Sequence, residues 1–431
     1  MPAPVRIDSM EPLRILYISS EYPPETGFGG IGTYTRHMAE AMAARGHGVA
    51  VISRSASGEE SCAMVNGVSV HRIGAGAYPL PEGRWWYPLR RACYATIPES
   101  LAKLAWAREV RRAHDRLSAE SGPFDIVEYP ECGGEGALLL RPRHGALVAR
   151  LHTPWQMIRA IDGITEPPLD RWLQNRLERS SVRKAAMVTA PSRALGDRIR
   201  RRWRLRAVQQ HGNPLPCDRY MPATGEDGWL CVGRVERVKG THVLIDAYAA
   251  LGVQNPPPLL LLGRPYGALS DGTRYGDFIR EKIRRHQLSD RVRWIEGVPH
   301  DEVLDHLARA SAVIVPSLWE NCPYSCLEAM ACGIPVVASR AGGLPELLQH
   351  EKTGLLFEAG SPESLASVLR RLISNPELGR SIGAAARSSV RERFDSSTIA
   401  AEVDALYRGL LIPARQGRPE NPAHTKEPAH G

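Results

Sequence analysis

The feature that most constrains this chain is a short β-branched or aliphatic run followed by a helical stretch, repeated many times and interrupted once. The first unit is Ile15-Leu16-Tyr17-Ile18-Ser19, a Gly-rich turn, and a helix over Thr33–Ala44 closed by Gly46. Val49–Ser53, Asp125–Glu128, Ala146–Leu151 and Ala186–Thr189 read as further strands, each before a turn or helix start. At Gln210-His211-Gly212-Asn213-Pro214-Leu215-Pro216 the pattern gives way to loop chemistry, which suits a linker. A second series begins at once, with a strand at Trp229–Gly233 and a helix at Gly240–Leu251. Strands at Leu259–Leu262, Val292–Ile295, Ala312–Pro316, Pro335–Ala338 and Gly354–Phe357 complete it. Strand–helix alternation of this kind specifies a parallel sheet flanked by helices. The expected fold is therefore α/β, with two doubly wound, Rossmann-like parallel-sheet domains facing a central cleft.

The expected boundaries are a flexible N-terminus over 1–12, a first domain over 13–212 and a second over 213–395. A helix at 396–411 is expected to pack back on the first domain. The tail at 413–431 is rich in Pro, Gly and charge without periodicity and is expected to be disordered.

Composition removes several classes. Hydrophobic residues are 43% and charged residues 24% of the chain, the balance of a globular protein. No run approaches the ~18 apolar residues of a spanning helix, and the Pro-rich, acidic start lacks the apolar core of a secretory signal. The eight cysteines are scattered with no CxxC pair, so neither a disulfide framework nor a structural metal is expected, and a reducing cytoplasm fits best. Residues 1–215 carry 30 Lys+Arg against 21 Asp+Glu, whereas residues 216–431 carry 25 against 26. The whole net charge of +8 thus belongs to the first half, which asks for an anionic partner there.

Three motifs carry chemistry. Gly27-Phe28-Gly29-Gly30-Ile31-Gly32 lies between a strand and a helix start, where glycines admit a ligand close to free backbone N–H groups. No acidic residue follows it at the distance the dinucleotide motif uses to hold a ribose. Gly233-Arg234-Val235-Glu236-Arg237-Val238-Lys239-Gly240 puts two cations beside the next helix N-terminus, a diphosphate site that needs no metal. Glu320-Asn321-Cys322-Pro323-Tyr324-Ser325-Cys326-Leu327-Glu328 follows a strand end, at the edge where open α/β sheets bind ligands. Glu320 is read as projecting into the cleft, and Glu328, one turn inside the helix, as reaching a ribose diol.

Together with Ser20-Glu21-Tyr22-Pro23-Pro24 and the run Glu328-Ala329-Met330-Ala331-Cys332-Gly333-Ile334-Pro335, these motifs make the chain resemble the retaining GT-B-fold glycosyltransferases of family GT4, from about residue 13 to 411. The resemblance implies an acceptor-binding first domain and a second domain that binds a nucleoside-diphosphate sugar. Arg234 and Lys239 would hold the diphosphate, with Gly233, Asn321 and the amides of Tyr324, Ser325 and Cys326 around it. The Gly29–Gly30 loop would close over it from the other domain. Glu328 would bind the ribose, Glu320 would face the anomeric side of the sugar, and backbone at Val298 would read the base. His152, in Leu151-His152-Thr153-Pro154, matches a family histidine that touches the donor sugar. As a lone histidine it reads equally well as a packing residue. The chain departs from the family at His211-Gly212-Asn213-Pro214 in the linker and at Asn321-Cys322-Pro323 after the first glutamate.

The expected reaction is metal-independent transfer from the nucleotide sugar to a hydroxyl of a glycan, glycolipid or small molecule, without cofactor. Glu128, Glu131 and Asp162 follow strands of the first domain and are candidates for acceptor hydroxyls on position alone. Arg84-Trp85-Trp86-Tyr87 with Arg90 and Arg91, and the cationic stretch Arg198–Arg204, suit an anionic membrane surface and a lipid-linked acceptor. The competing reading packs Trp85 and Trp86 under a loop. No nucleic-acid recognition module is present, so nucleic acid is not an expected partner. An epimerase of the same fold and a non-catalytic carbohydrate binder are the alternatives. The retained charged groups of the leaving-group site argue against the binder.

Overall fold

The computed structural model describes residues 11–27, 29–80, 84–140 and 143–411. The tail at 413–431 and all but the last two residues of the N-terminal segment lie outside them. Strands β1 (Arg14–Ile18), β2 (Gly48–Arg54), β3 (Ser61–Val65), β4 (Val68–Ile73), β5 (Ile126–Pro130), β6 (Ala146–Arg150), β7 (Met187–Ala190) and β8 (Gln209–Gln210) form one sheet. Its order is β3-β4-β2-β1-β5-β6-β7-β8, and every described pair is parallel except β3 with β4. Strands β9 (Asp227–Val232), β10 (Leu259–Leu262), β11 (Val292–Ile295), β12 (Ala310–Val315), β13 (Val336–Ser339) and β14 (Leu355–Phe357) form a second, parallel sheet in the order β11-β10-β9-β12-β13-β14.

Helices α1 (Gly30–Ala44), α2 (Tyr87–Thr96), α3 (Pro98–Ser121), α4 (Trp155–Asp162), α5 (Pro168–Lys184) and α6 (Arg193–Trp203) belong to the first sheet. Helices α7 (Thr241–Ala249), α8 (Tyr275–Arg285), α9 (His300–Arg309), α10 (Tyr324–Ala331), α11 (Leu344–Leu347), α12 (Pro362–Ser374) and α13 (Pro376–Phe394) belong to the second. The last helix, α14 (Ser396–Leu411), crosses back. Its Ile399, Val403 and Tyr407 share a buried cluster with Tyr17, Tyr34 and Met38 of the first domain.

Both sheets are covered on each face, which is why their strands read as apolar runs rather than alternations. In β1, the residues Ile15 to Ile18 are all buried and pair in register with β2 on one side, and Ile15 to Tyr17 with β5 on the other. Side chains excluded from water this completely each contribute roughly 1.5–3 kcal/mol. Helix starts follow local chemistry: Ser192, Ser361 and Asn375 accept from Leu195, Ser364 and Leu378 N–H as caps of α6, α12 and α13.

The two-sheet α/β architecture agrees with the expectation, but the β3–β4 hairpin was not anticipated. Its apolar run Cys62–Val65 is not core: four of the five residues of β3 are exposed and the fifth is half-buried, unlike the buried strands read elsewhere in the chain. In each sheet the chain order reverses beside a central strand, between β2 and β5 at β1 and between β10 and β12 at β9. The loops leaving β1 and β9 therefore open into the crevice where such sheets take ligands.

Candidate functional site

The loop after β9 meets the loop after β12 around a small depression. Gly233, Arg234, Val235, Lys239, Thr241, Ser317, Glu320 and Ser325 line it among others. The approach of the two loops requires glycine at 240, where φ is +69° and a Cβ would lie 2.0 Å from Pro316 O. That turn sets Lys239 against the other loop, and its Nζ stands 2.5 Å from Glu320 Oε1. Ser317 Oγ donates to the same oxygen at 3.1 Å. Arg234 is half exposed beside them, with its guanidinium 5.1 Å from the Tyr266 ring centre.

Helix α10 starts at Tyr324 after Pro323, so its first amides point out of the helix. The Cys326 N–H already donates to Pro323 O at 3.1 Å, which leaves Tyr324 and Ser325 as the freer amides of the expected three. The Tyr324 hydroxyl instead donates to Pro214 O of the linker at 3.2 Å. Glu328 lies one turn further in, 3% exposed, and accepts from Tyr220 Oη at 3.3 Å. Burial pushes its carboxyl up to about 7. Val298 packs half-buried on the core of the second domain, in the loop after β11.

The first-domain candidates Gly29, Gly30 and His152 are not among the residues that line that depression. Gly29 caps α1, and Glu21 leans over that helix start, accepting from Gly32 N–H at 3.4 Å. A Cβ at Gly29 would lie 2.6 Å from Glu21 Oε2, so the glycine is what admits the carboxylate. Gly30 has open space around it. His152 is half-buried at the end of β6, edge-on to Tyr34 with ring centres 5.3 Å apart. Burial and the Arg150 guanidinium push its imidazole well below the ordinary histidine range, so it is neutral at pH 7.

The three acceptor candidates of the first domain all have other partners. Glu128 is 2% exposed, and its two oxygens accept from Tyr34 Oη at 2.8 Å and Tyr407 Oη at 2.7 Å. It ties α14 to the sheet rather than facing the cleft, because β5 turns that side chain to the α1 and α14 face. Glu131 is fully buried and accepts the His152 N–H at 2.8 Å. Burial and the neighbouring Glu178 push its carboxyl up to about 8. Asp162 reaches across the cleft, and its Oδ1 accepts the Val238 N–H at 3.0 Å. Asn321 does likewise in the other direction, donating its side-chain amide to His152 O and, at 2.6 Å, to Thr153 Oγ1.

Sequence reasoning missed most of the groups that join the domains. Arg150, fully buried at the end of β6, binds the His211 ring and carbonyl and Asn213 Oδ1 of the linker. Asn213 in turn donates to Cys322 O at 2.8 Å. Glu346 of the second domain accepts from Arg193 and Ala194 N–H, each at 2.8 Å, and so caps α6 of the first. A strand-end arginine followed by a polar linker was the available signal for the first contact. None marked Glu346. Trp85 and Trp86 are 93% and 48% exposed, so the reading that buries them under a loop does not hold.

Among the described residues, metal-ligating types gather at His114, Asp115 and His144, with ligand atoms within 4.8 Å of one another. Asp115 Oδ1 there pairs with His144 Nε2 at 3.1 Å, and Arg143 stands 3.6 Å from Oδ2. No described helix is long and apolar enough to cross a membrane.

Comparison with known proteins agrees with the fold. The family model described as Glycosyl transferases group 1 matches residues 222–389, and that of the Glycosyl transferase 4-like domain matches residues 29–216. A glycogen synthase of Mycobacterium tuberculosis is 27% identical, over 95% of this chain and 98% of that one. An MMP alpha-(1->4)-mannosyltransferase of Mycolicibacterium hassiacum is also 27% identical, over 93% and 98%. Among solved structures, a sucrose-phosphate synthase from Thermosynechococcus elongatus superposes with a TM-score of 0.74 at 24% identity, over 93% of this chain and 99% of that one.

Proposed function

Because the chain belongs to the group 1, GT4-type glycosyltransferases of GT-B fold, we propose that it is a retaining, metal-independent hexosyltransferase using a nucleoside-diphosphate sugar. The acceptor in this reading is a hydroxyl of a glycan, a lipid-linked sugar or a small molecule. The observation that carries it is the Lys239–Glu320 contact inside the depression that also holds Gly233, Arg234 and Ser325.

Glycosyl transfer builds negative charge on the leaving diphosphate and positive charge on the sugar ring. Fixed donors aimed at the diphosphate do most of the electrostatic work. Lys239, Arg234 and the Tyr324 and Ser325 amides are such donors. They offer the stabilisation that a divalent cation would otherwise supply. Glu320, beside Lys239, is placed to face the opposite charge on the ring and to orient the sugar. In a retaining transfer the acceptor attacks from the leaving-group face, and the departing phosphate oxygen takes its proton. Neutral His152 offers a hydrogen bond to the transferred sugar. Closure by Asp162 and Asn321 keeps water from the ring.

A donor screen tests this. The protein is incubated with UDP-, GDP- and ADP-sugars, and nucleotide release is followed for wild type, Glu320→Ala and Lys239→Ala. Release from one donor, lost in both variants, is expected. No release, and no thermal protection by any donor, would overturn the reading in favour of a scaffold role. Sugar isomerisation with free nucleotide and no acceptor product would favour an epimerase.

The exposed segment Trp85, Trp86, Tyr87 and Leu89, followed by Arg90 and Arg91, supports a lipid-linked acceptor taken from an anionic surface on the cytoplasmic side. Helix α2 has no buried residue to explain these side chains. Sedimentation with vesicles containing phosphatidylglycerol, but not with neutral vesicles, is expected, and its loss in Trp85→Ser/Leu89→Ser checks the surface.

A further inference from the structure

Glu236 lies in the loop that carries both cations of the donor site, two residues after Arg234 and three before Lys239. It is 2% exposed, and among the described residues neither carboxylate oxygen makes a hydrogen bond. The Arg234 guanidinium stands 3.0 Å from Oε1 without hydrogen-bonding geometry. A buried carboxylate with no hydrogen bond is costly, and it stays ionised only while a cation faces it. The neighbouring pair is built differently: Glu320 receives hydrogen bonds from both Lys239 and Ser317.

We propose that Glu236 is an internal competitor for the donor diphosphate: it holds Arg234 in the empty site and gives it up, taking a proton from solvent, when a nucleoside diphosphate binds. The inference rests on the reading of Arg234 as a diphosphate ligand. The charged groups facing Glu236 are Arg234 and Lys239 on its own loop, Asp162 from α4, and Glu320 from the loop after β12. Two cations thus stand among three carboxylates before any ligand arrives. Burial already raises the Glu236 carboxyl above its ordinary value, and Arg234 and Lys239 oppose that rise. A diphosphate turns Arg234 toward itself and brings further negative charge, so both effects move Glu236 to its neutral form. Arg234 is 57% exposed, so it can swing between these partners without unpacking the core.

The consequence is donor binding that consumes a proton and weakens as pH rises. Calorimetric titration of the full chain with UDP, ADP and GDP, each from about pH 6 to about pH 8 in two buffers of different ionisation heat, measures this for wild type and Glu236→Gln. The ionisation of the nucleotide is common to both proteins and cancels in the difference. Wild type is expected to take up close to one proton more per bound nucleotide than Glu236→Gln. The variant should bind about fivefold tighter at the upper pH, with a flatter pH dependence. Glu236→Ala should show the same loss of proton uptake, and thermal unfolding of both variants confirms that they are folded. Equal proton uptake, or weaker binding by both variants, would overturn the proposal while leaving the transferase reading in place. Absence of binding by every protein to every nucleotide would overturn both.

Discussion

Asp162 of the first domain accepts a hydrogen bond from the backbone N–H of Val238 in the second, at 3.0 Å and one residue before Lys239. A carboxylate at the end of α4 thereby holds the loop that carries the donor-site lysine, but only when the domains stand together. Asp162 is a positioning residue in this arrangement. Asp162→Ala leaves the Val238 N–H without its partner and is expected to lower kcat/KM for donor turnover about 3- to 10-fold. Asp162→Asn keeps a carbonyl oxygen and should restore most of that loss. A purely structural role would instead lower the melting temperature of both variants without separating them in kcat/KM.

Lys239→Ala removes the cation nearest Glu320 and is expected to reduce kcat about 10²–10³-fold, the usual cost of losing one preorganised donor to a developing anion. Lys239→Arg keeps the charge with a different reach and should retain more activity than the alanine variant. Initial rates of nucleotide release at saturating donor check both.

Gly240→Ala should be among the most damaging single changes in the second domain. The backbone there has φ +69°, and the added methyl would lie 2.0 Å from Pro316 O. The expected loss is about 2–4 kcal/mol of stability. The loop must also move away from β12, so donor binding should fall as well. Urea unfolding and nucleotide titration measure the two effects separately.

Tyr407→Phe leaves one Glu128 oxygen without its 2.7 Å hydrogen bond inside the core. The expected cost is about 1–3 kcal/mol. Amide hydrogen exchange should quicken over 396–411, where α14 docks, while donor turnover stays within about twofold of wild type.

Glu131 gives the stability a pH dependence with a definite sign. Its carboxyl is pushed up to about 8 in the fold, against 4.5 for the free group. The folded state therefore holds an extra proton between those values, and stability falls as pH rises through that window. Glu131→Gln keeps an oxygen for the His152 N–H and removes the titration. Its melting temperature, relative to wild type, should be higher at about pH 8 than at about pH 5 by a few degrees. An equal offset at both pH values would contradict this origin.

Much of the architecture was legible because parallel strands covered on both faces must be apolar throughout, as Ile15–Ile18 and Leu259–Leu262 are. Glycines at tight turns marked the loops at both switch points, Gly29–Gly30 and Gly233–Gly240. The Glu320 and Lys239 motifs were legible for the same reason, since each is short and fixed by its own strand end and helix start. Strand β3 was not, because it is a short edge strand paired antiparallel to β4, with Cys62, Ala63 and Met64 exposed and no strand–helix unit around it.

What the sequence by itself determined, then, is the two alternating series and the local loops that leave their central strands. What only the tertiary structure decided is which carboxylate faces what. Glu128 lies within the apolar strand β5 and Glu320 follows β12, yet one is sealed against Tyr34 and Tyr407 and the other lies beside Lys239. Asp162 meets a backbone N–H 76 residues away, and Glu346 caps a helix more than 150 residues before it. Such partners are chosen by how two rigid sheets come together. A carboxylate's charge, and hence its role, depends on those distant neighbours and on burial rather than on the residues beside it in the chain.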